Sequence, residues 1–268
     1  MTETHRSPAA HPRQARIAVT RKISSAMARC ELTHLQRTVI DVALARQQHH
    51  AYEQALRNLG WRIESLPEEP QLPDSVFVED TAIVLDEVAV ITRPGAPSRQ
   101  LETASIAAVL GKYRELAYIE RPGTLDGGDV LRVARSLYVG TSSRTNTSGI
   151  EQLSALLRPF GYRVLAVAVR GCLHLKSAVT QVTAEDLLIN SRYVERPQFP
   201  AMRFIEVDES EPLGANALML DTDVIYPHSY PRTADILRQH GIRVHTLEMS
   251  ETEKAEGGVT CCSLLLSS

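Results

Sequence analysis

Five stretches of this chain share one design. "PDSVFVEDTAIVLD", "GTLDGGDVLRV", "GCLHLKSAVTQV", "PLGANALMLD" and "EGGVTCCSLLLS" each set small or polar residues ahead of an alternating apolar run. They recur at roughly 40 to 50 residues, a period that suggests a repeated supersecondary unit. Five such units can close into a ring, with the apolar runs building small sheets and the polar starts gathered at one centre.

Helical patterns fill the intervals. "DVALARQQHHAYEQALRNLG" (41–60) reads as a helix stopped by Gly60, and "ETASIAAVLGKYR", "GIEQLSALLRPFG" and "PRTADILRQHG" repeat the pattern. Strand patterns precede or follow them: "RIAVT" (16–20), "WRIESLP", "YRVLAVAV" and "IRVHTLEM". The chain reads as α/β with no obvious linker, a domain over 16–268 preceded by a short tail, 1–15, expected to be disordered.

With 268 residues, 43% of them hydrophobic and 23% charged, the chain can bury a sizeable core. A net charge of -3 and a pI near 6.3 give no electrostatic footprint for nucleic acid or for an acidic membrane surface. Residues 1–15 lack the apolar centre of a signal peptide, and no run approaches the ~18 apolar residues of a membrane span. Cys30, Cys172, Cys261 and Cys262 match no disulfide framework and form no CxxC pair, so free thiols in a reducing cytoplasm are expected. "LDGGDV" lacks the GxGxxG spacing of a dinucleotide loop, and no cofactor is expected.

Two adjacent cysteines near the C-terminus ask for an explanation. If residues 259 to 266 form a strand, Cys262 shares a face with Leu264 and Leu266, while Cys261 shares the other with Ser263. Cys262 then reads as core. Cys261 stands just beyond a glycine pair, where another chain or a ligand can approach closely. Both could simply be small buried hydrophobes, as most free cysteines are. A nucleophile needs a base or acid within reach, and that partner can be distant in sequence. His174 in "CLHLKS" is the candidate: on an alternating strand it faces the side of Cys172 and Lys176, although a lone histidine of this kind can equally be structural.

Carboxylates are the second signal: Asp74, Glu79 and Asp80 in "PDSVFVED", Asp126 and Asp129 in "LDGGD". Solvated loop charge is their ordinary role. Glu79 and Asp80, however, end an apolar "SVFV" run, so at least one should lie near a buried sheet end and require a cationic partner. A ring of carboxylates is electrostatically wrong for an oxyanion and right for a cation. A guanidinium fits, being planar, permanently charged, rich in donors for carboxylates and electrophilic at its central carbon.

In their order, "PDSVFVED", "ITRPGAPSR", "TLDGGDV", "RTN", "LHLKS", "YPRT" and "GGVTCCSL" resemble the dimethylarginine dimethylaminohydrolases of the pentein, or guanidino-group-modifying, superfamily. The resemblance runs from about residue 16 to the end. It implies a five-bladed α/β propeller (pentein fold) of ββαβ units and hydrolysis of Nω-methylated arginine to citrulline and the corresponding methylamine. It implies Cys261 as nucleophile, His174 as general acid and base, and Asp126 as the acid that accompanies them. Asp74, Glu79 and Asp80 fall on substrate-binding acids, Arg99 and Arg144 on positions that hold the substrate's carboxylate end, Leu32 on a lid leucine and Ala255 on a backbone contact. No metal is required; zinc at Cys261, His174 and Glu79 is conceivable as an inhibitor. The partner implied is the small-molecule substrate, with no nucleic acid or membrane, in a monomer or homodimer. Arginine deiminase, an amidinotransferase, an inactive guanidino-binding protein and a structural protein with "TCC" as core stand as the alternatives.

Overall fold

The computed structural model describes residues 16–267. The expected tail, 1–15, lies outside them. In chain order the first unit holds β1 (Ile17–Arg21), α1 (Val42–Asn58) and β2 (Arg62–Leu66). The second holds β3 (Ala82–Val84), β4 (Val88–Ile91), α2 (Thr103–Leu110) and β5 (Glu115–Tyr118). The third holds β6 (Val130–Val133), β7 (Ser136–Thr141), α3 (Thr147–Leu157) and β8 (Arg163–Ala168). The fourth has strands alone, β9 (Val179–Gln181), β10 (Asp186–Ile189) and β11 (Arg203–Glu206). The fifth holds β12 (Leu218–Leu220), β13 (Asp223–Pro227), α4 (Pro231–Gln239) and β14 (Arg243–Leu247). A four-residue helical turn, Ser250–Glu253, then leads toward the last strand, β15 (Leu264–Leu266).

Every sheet has three strands and the same wiring. A middle strand pairs antiparallel with an inner strand and parallel with an outer one, as β4 does with β3 and β5, and β7 with β6 and β8. β10 and β13 repeat it. In the first unit the inner strand is β15, from the far end of the chain: Ile17 faces Leu266 and Val19 faces Leu264 across an antiparallel pair. The ends of the described chain therefore share one sheet, which closes the ring.

Parallel pairing needs a crossover of about a dozen residues, usually a helix. Four units supply one. Asp41 caps α1 through the backbone N–H groups of Ala43 and Leu44, and Asn146 caps α3 through Gly149. The start of α4 is capped from a distance, by the Glu211 carboxylate accepting from Arg232 and Thr233. The fourth unit departs from the ββαβ expectation: only a short 3-10 turn, Arg196–Gln198, joins β10 to β11. Pro197 and Pro200 in that segment remove the donors and the space an α-helix would need.

The core is divided as the ring is. Five apolar clusters each lie between neighbouring units: Ile83 and Leu85 with Leu137 and Leu153, Leu131 and Tyr138 with Leu187 and Phe199, Leu188 with Val224 and Tyr226, Leu218 and Ile225 with Tyr52 and Met27, and Val19 and Leu264 with Ala89 and Ile106. No unit can bury its apolar faces alone.

Candidate active site

The inner strands all begin near the ring's axis, and within about five residues before each one stands a polar side chain. Glu79 and Asp80 precede β3, Asp126 precedes β6, His174 precedes β9, Asn216 precedes β12 and Cys261 precedes β15. Three of these starts are 3-10 turns, at Val78–Thr81, Gly127–Asp129 and Leu175–Ser177. This corrects three local readings. "SVFV" is turn rather than strand, His174 lies ahead of a turn rather than on an alternating strand, and residues 259 to 263 are turn and coil, with the strand only at Leu264–Leu266. A strand sends successive side chains to opposite faces. Tight turns at the axis let consecutive residues such as Glu79 and Asp80 both contribute to the centre. The cysteines still divide as expected: Cys262 is wholly buried in an apolar cluster and Cys261 is partly exposed to a cavity.

The glycine pair before them is required by the protein's own packing and also lines the cavities. A Cβ on Gly257 would stand 2.1 Å from the Phe77 ring, and one on Gly258 would stand 2.3 Å from Asn216 Oδ1.

His174 is buried, with Nε2 3.0 Å from Asp126 Oδ2 and Nδ1 4.0 Å from Asp80 Oδ1. Burial opposes its charge, but Asp80, Asp126 and Asp129 outweigh that and raise the imidazolium's pKa to about 9. At neutral pH the histidine is a proton donor. Asp80 is held well below the usual carboxylate range: burial works against its charge, and His174, Arg99 and the Gly128 N–H overcome it. Cys261 is the opposite case, pushed up to about 12 by burial and then by Glu79 and Asp80, against which the Gly258 N–H, 3.2 Å from Sγ, and the Lys176 ammonium favour the thiolate.

The predicted residues divide by their partners. Cys261, His174, Asp74, Asp80, Arg99, Arg144 and Ala255 line one cavity. Glu79 lines the adjoining one, which shares Cys261 and His174 as a wall. Its carboxylate accepts from Lys176 Nζ at 2.5 Å and from Thr260 Oγ1 at 2.8 Å. Arg99 is not a free cation: its guanidinium donates to Glu102, to Asp80 at 2.5 Å, and to the carbonyls of Asp74 and Phe77. The arginine thus anchors the acids. Arg144 lies 3.8 Å from Asp126 Oδ2 and donates to Thr33 Oγ1 at 3.0 Å. Leu32 packs against the Met27–Tyr52 cluster in an otherwise exposed segment, 31–39, arched beside the cavity.

The zinc set of Cys261, His174 and Glu79 does not converge to metal-ligand spacing. Among the described residues the ligand atoms that come within 4.8 Å of one another belong to Asp80, Asp126 and His174. Glu79 is diverted by Lys176 and Thr260, and the converging trio forms an imidazolium-carboxylate cluster.

Asn216 had no part in the sequence reading, yet it accepts from Thr260 N and donates to Thr260 Oγ1 and the Lys176 carbonyl, tying the Cys261 turn to the His174 turn. Its signal was present: it is the polar residue that opens the fourth of the five repeated stretches, the place occupied by a functional side chain in the others. Asp129 accepts from Leu175 N and Ser142 Oγ, fixing the backbone next to His174.

A five-bladed ring with a thiol, an imidazolium and clustered carboxylates at its axis defines a pentein, the fold of the guanidino-group-modifying proteins. Residues 24–195 match the family described as N,N dimethylarginine dimethylhydrolase, eukaryotic. The N(G),N(G)-dimethylarginine dimethylaminohydrolase of Streptomyces coelicolor is 40% identical over 93% of this chain and 96% of its own length. The enzyme of the same name from Pseudomonas aeruginosa is 38% identical over 84% and 89%. A cysteine-to-serine variant of the Pseudomonas aeruginosa protein, solved with citrulline, superposes with a TM-score of 0.90 at 34% identity, covering 95% of this chain and all of that one. The chain belongs to the dimethylarginine dimethylaminohydrolase family. Among the described residues, no helix is long and apolar enough to cross a membrane.

Proposed function

We propose that this protein hydrolyses Nω-methylated L-arginine to L-citrulline and methylamine or dimethylamine. The observation that carries the reading is geometric: a cysteine and a buried histidine share one cavity wall, with Asp80 beside both, Glu79 beside Cys261 and Asp126 bonded to His174, a setting that favours the protonated thiol and the imidazolium. A bound guanidinium offsets the carboxylates around Cys261 and lowers the cost of forming its thiolate, whose proton is released to solvent, so substrate activates its own nucleophile. Sγ then attacks the guanidinium carbon. The methylated nitrogen departs with the proton of His174, leaving a thiouronium on Cys261. Neutral His174 next takes a proton from water, whose oxygen adds to the same carbon, and collapse releases citrulline and the cysteine. Asp80 holds the cation beside His174, Asp126 holds His174 from behind the cavity wall, Asp74 and the Ala255 backbone suit the α-amine, and Arg144, with Arg99 behind Asp80, suits the α-carboxylate. The four free cysteines agree with a reducing, cytoplasmic setting.

Citrulline release from asymmetric dimethylarginine, monomethylarginine and arginine in parallel tests the proposal. Turnover of the methylated substrates, lost in Cys261→Ser, is the expected result. Release from arginine alone would make the protein a deiminase, and no release from any of the three would leave a guanidino-binding protein.

A further inference from the structure

The segment 31–39 has no strand or helix, and no backbone carbonyl among the described residues accepts the N–H groups of Thr33, His34 or Leu35. All three donate to one side chain. Glu256 accepts from Thr33 N at 2.9 Å through Oε2, and from His34 N at 2.5 Å and Leu35 N at 2.6 Å through Oε1. Such bonds to an ionised acceptor are the stronger kind. Glu256 also lies on the wall of both cavities that meet at Cys261.

A second observation is independent of these bonds. Glu256 has φ +60, in the left-handed region that glycine occupies freely and glutamate rarely does. Two glycines follow it in "AEGG", but the position with the positive φ carries the carboxylate. A costly backbone conformation at a site edge points to a use for the side chain that occupies it.

We infer that Glu256 is the latch that holds segment 31–39 over the cavity, a positioning residue for substrate capture. The inference rests on the reading of that cavity as the substrate's. Two other ties of the segment reach site residues: Thr33 Oγ1 accepts from Arg144, and Glu31 N donates to the Asp74 carboxylate, while Arg37 donates to the Ala28 and Cys30 carbonyls and Ser98 Oγ to the Glu31 carboxylate. Arg144 and Asp74 are the groups assigned to the substrate's carboxylate and amine. Substrate entry must compete with those ties, whereas the Glu256 ties can persist through it, so the latch keeps the arch in register while its other contacts are exchanged.

Glu256→Gly is the discriminating variant, because it removes the carboxylate and relieves the backbone at once. Its thermal midpoint should equal or exceed that of the parent. Hydrogen exchange at the amides of residues 33–35 should quicken by about tenfold or more, as expected when local opening loses its restraint. Iodoacetamide alkylation of Cys261 at alkaline pH should quicken in parallel. For methylated arginine, KM should rise by about tenfold with kcat changed by less than about threefold, the signature of lost binding rather than lost chemistry. Glu256→Gln, which keeps one acceptor oxygen, should fall between. Parental exchange and alkylation rates in Glu256→Gly would overturn the latch, and these two readouts need no turnover, so they stand even if the assigned reaction fails.

Discussion

At the residue scale the chemistry turns on proton affinity. His174, raised from about 6.5 to about 9 by its carboxylates, binds its proton more tightly folded than unfolded. That linkage stabilises the fold fully below about pH 6.5 and is lost as pH rises toward 9. Unfolding midpoints should therefore decline across that window. Asp126→Asn should shrink the decline, lower the imidazolium's pKa by about one unit or more, and reduce kcat by about 10²–10⁴ through the weakened general acid. Nuclear magnetic resonance titration of the ring nitrogens reads the first effect, and steady-state kinetics the second. A His174 that titrates near 6.5 in the folded parent would refute the assignment. Cys261 titrates in the other range, its thiol protonated until well above neutrality. The difference in thiolate ultraviolet absorbance between the parent and Cys261→Ser should be absent at pH 7 and appear with a guanidinium ligand bound.

Elements carry the precision of the site. Asp129 ends the 3-10 turn Gly127–Asp129 and receives the Leu175 N–H at 2.9 Å, so one turn positions the backbone beside His174 at the start of another. Asp129→Ala leaves that buried donor unmet, which should cost about 1–3 kcal/mol of stability. Activity should fall with it, and Asp129→Asn, which keeps an acceptor, should recover most of both. Gly128 shows how little slack remains: a Cβ there would stand 2.6 Å from His174 Nδ1 and 2.8 Å from Asp80 Oδ1. The four helices and the outer strands β2, β8 and β14 were legible in the sequence because their apolar periods are long enough to count, whereas the four-residue β5 and β11 were not. The axial turns were not. Three-residue 3-10 turns leave no period, and an apolar "SVFV" or "VTCCSLLL" reads as strand whether its first half is turn or ladder.

The whole molecule is a ring whose closure depends on its last strand. Leu264 and Leu266 are buried in the cluster shared with β1, α2 and β4. Burying such side chains stabilises by about 1.5–3 kcal/mol each. Deleting residues 264–268 should accordingly remove cooperative unfolding along with activity, whereas a circular permutant that joins the ends and opens the chain between the exposed Ala184 and Glu185 should retain both. Urea unfolding curves distinguish the cases. The repeat period made the ring legible, since five stretches with one pattern leave few other closed arrangements. Which polar residue of each stretch reaches the axis was legible for Cys261, His174 and the acids only with the family resemblance. Asn216 and the commitment of Arg99 to Glu102 depend on contacts between units, which one stretch cannot encode. The proposed reaction depends on that convergence, with Cys261 attacking the guanidinium carbon of a substrate bound in the cavity it shares with His174 and Asp80. Rapid-quench mass spectrometry of the Cys261 peptide tests it directly. Asymmetric dimethylarginine and monomethylarginine should leave adducts of the same mass, because the methylated nitrogen has already departed. Absence of any adduct, or adducts that differ by a methyl group, would contradict the account.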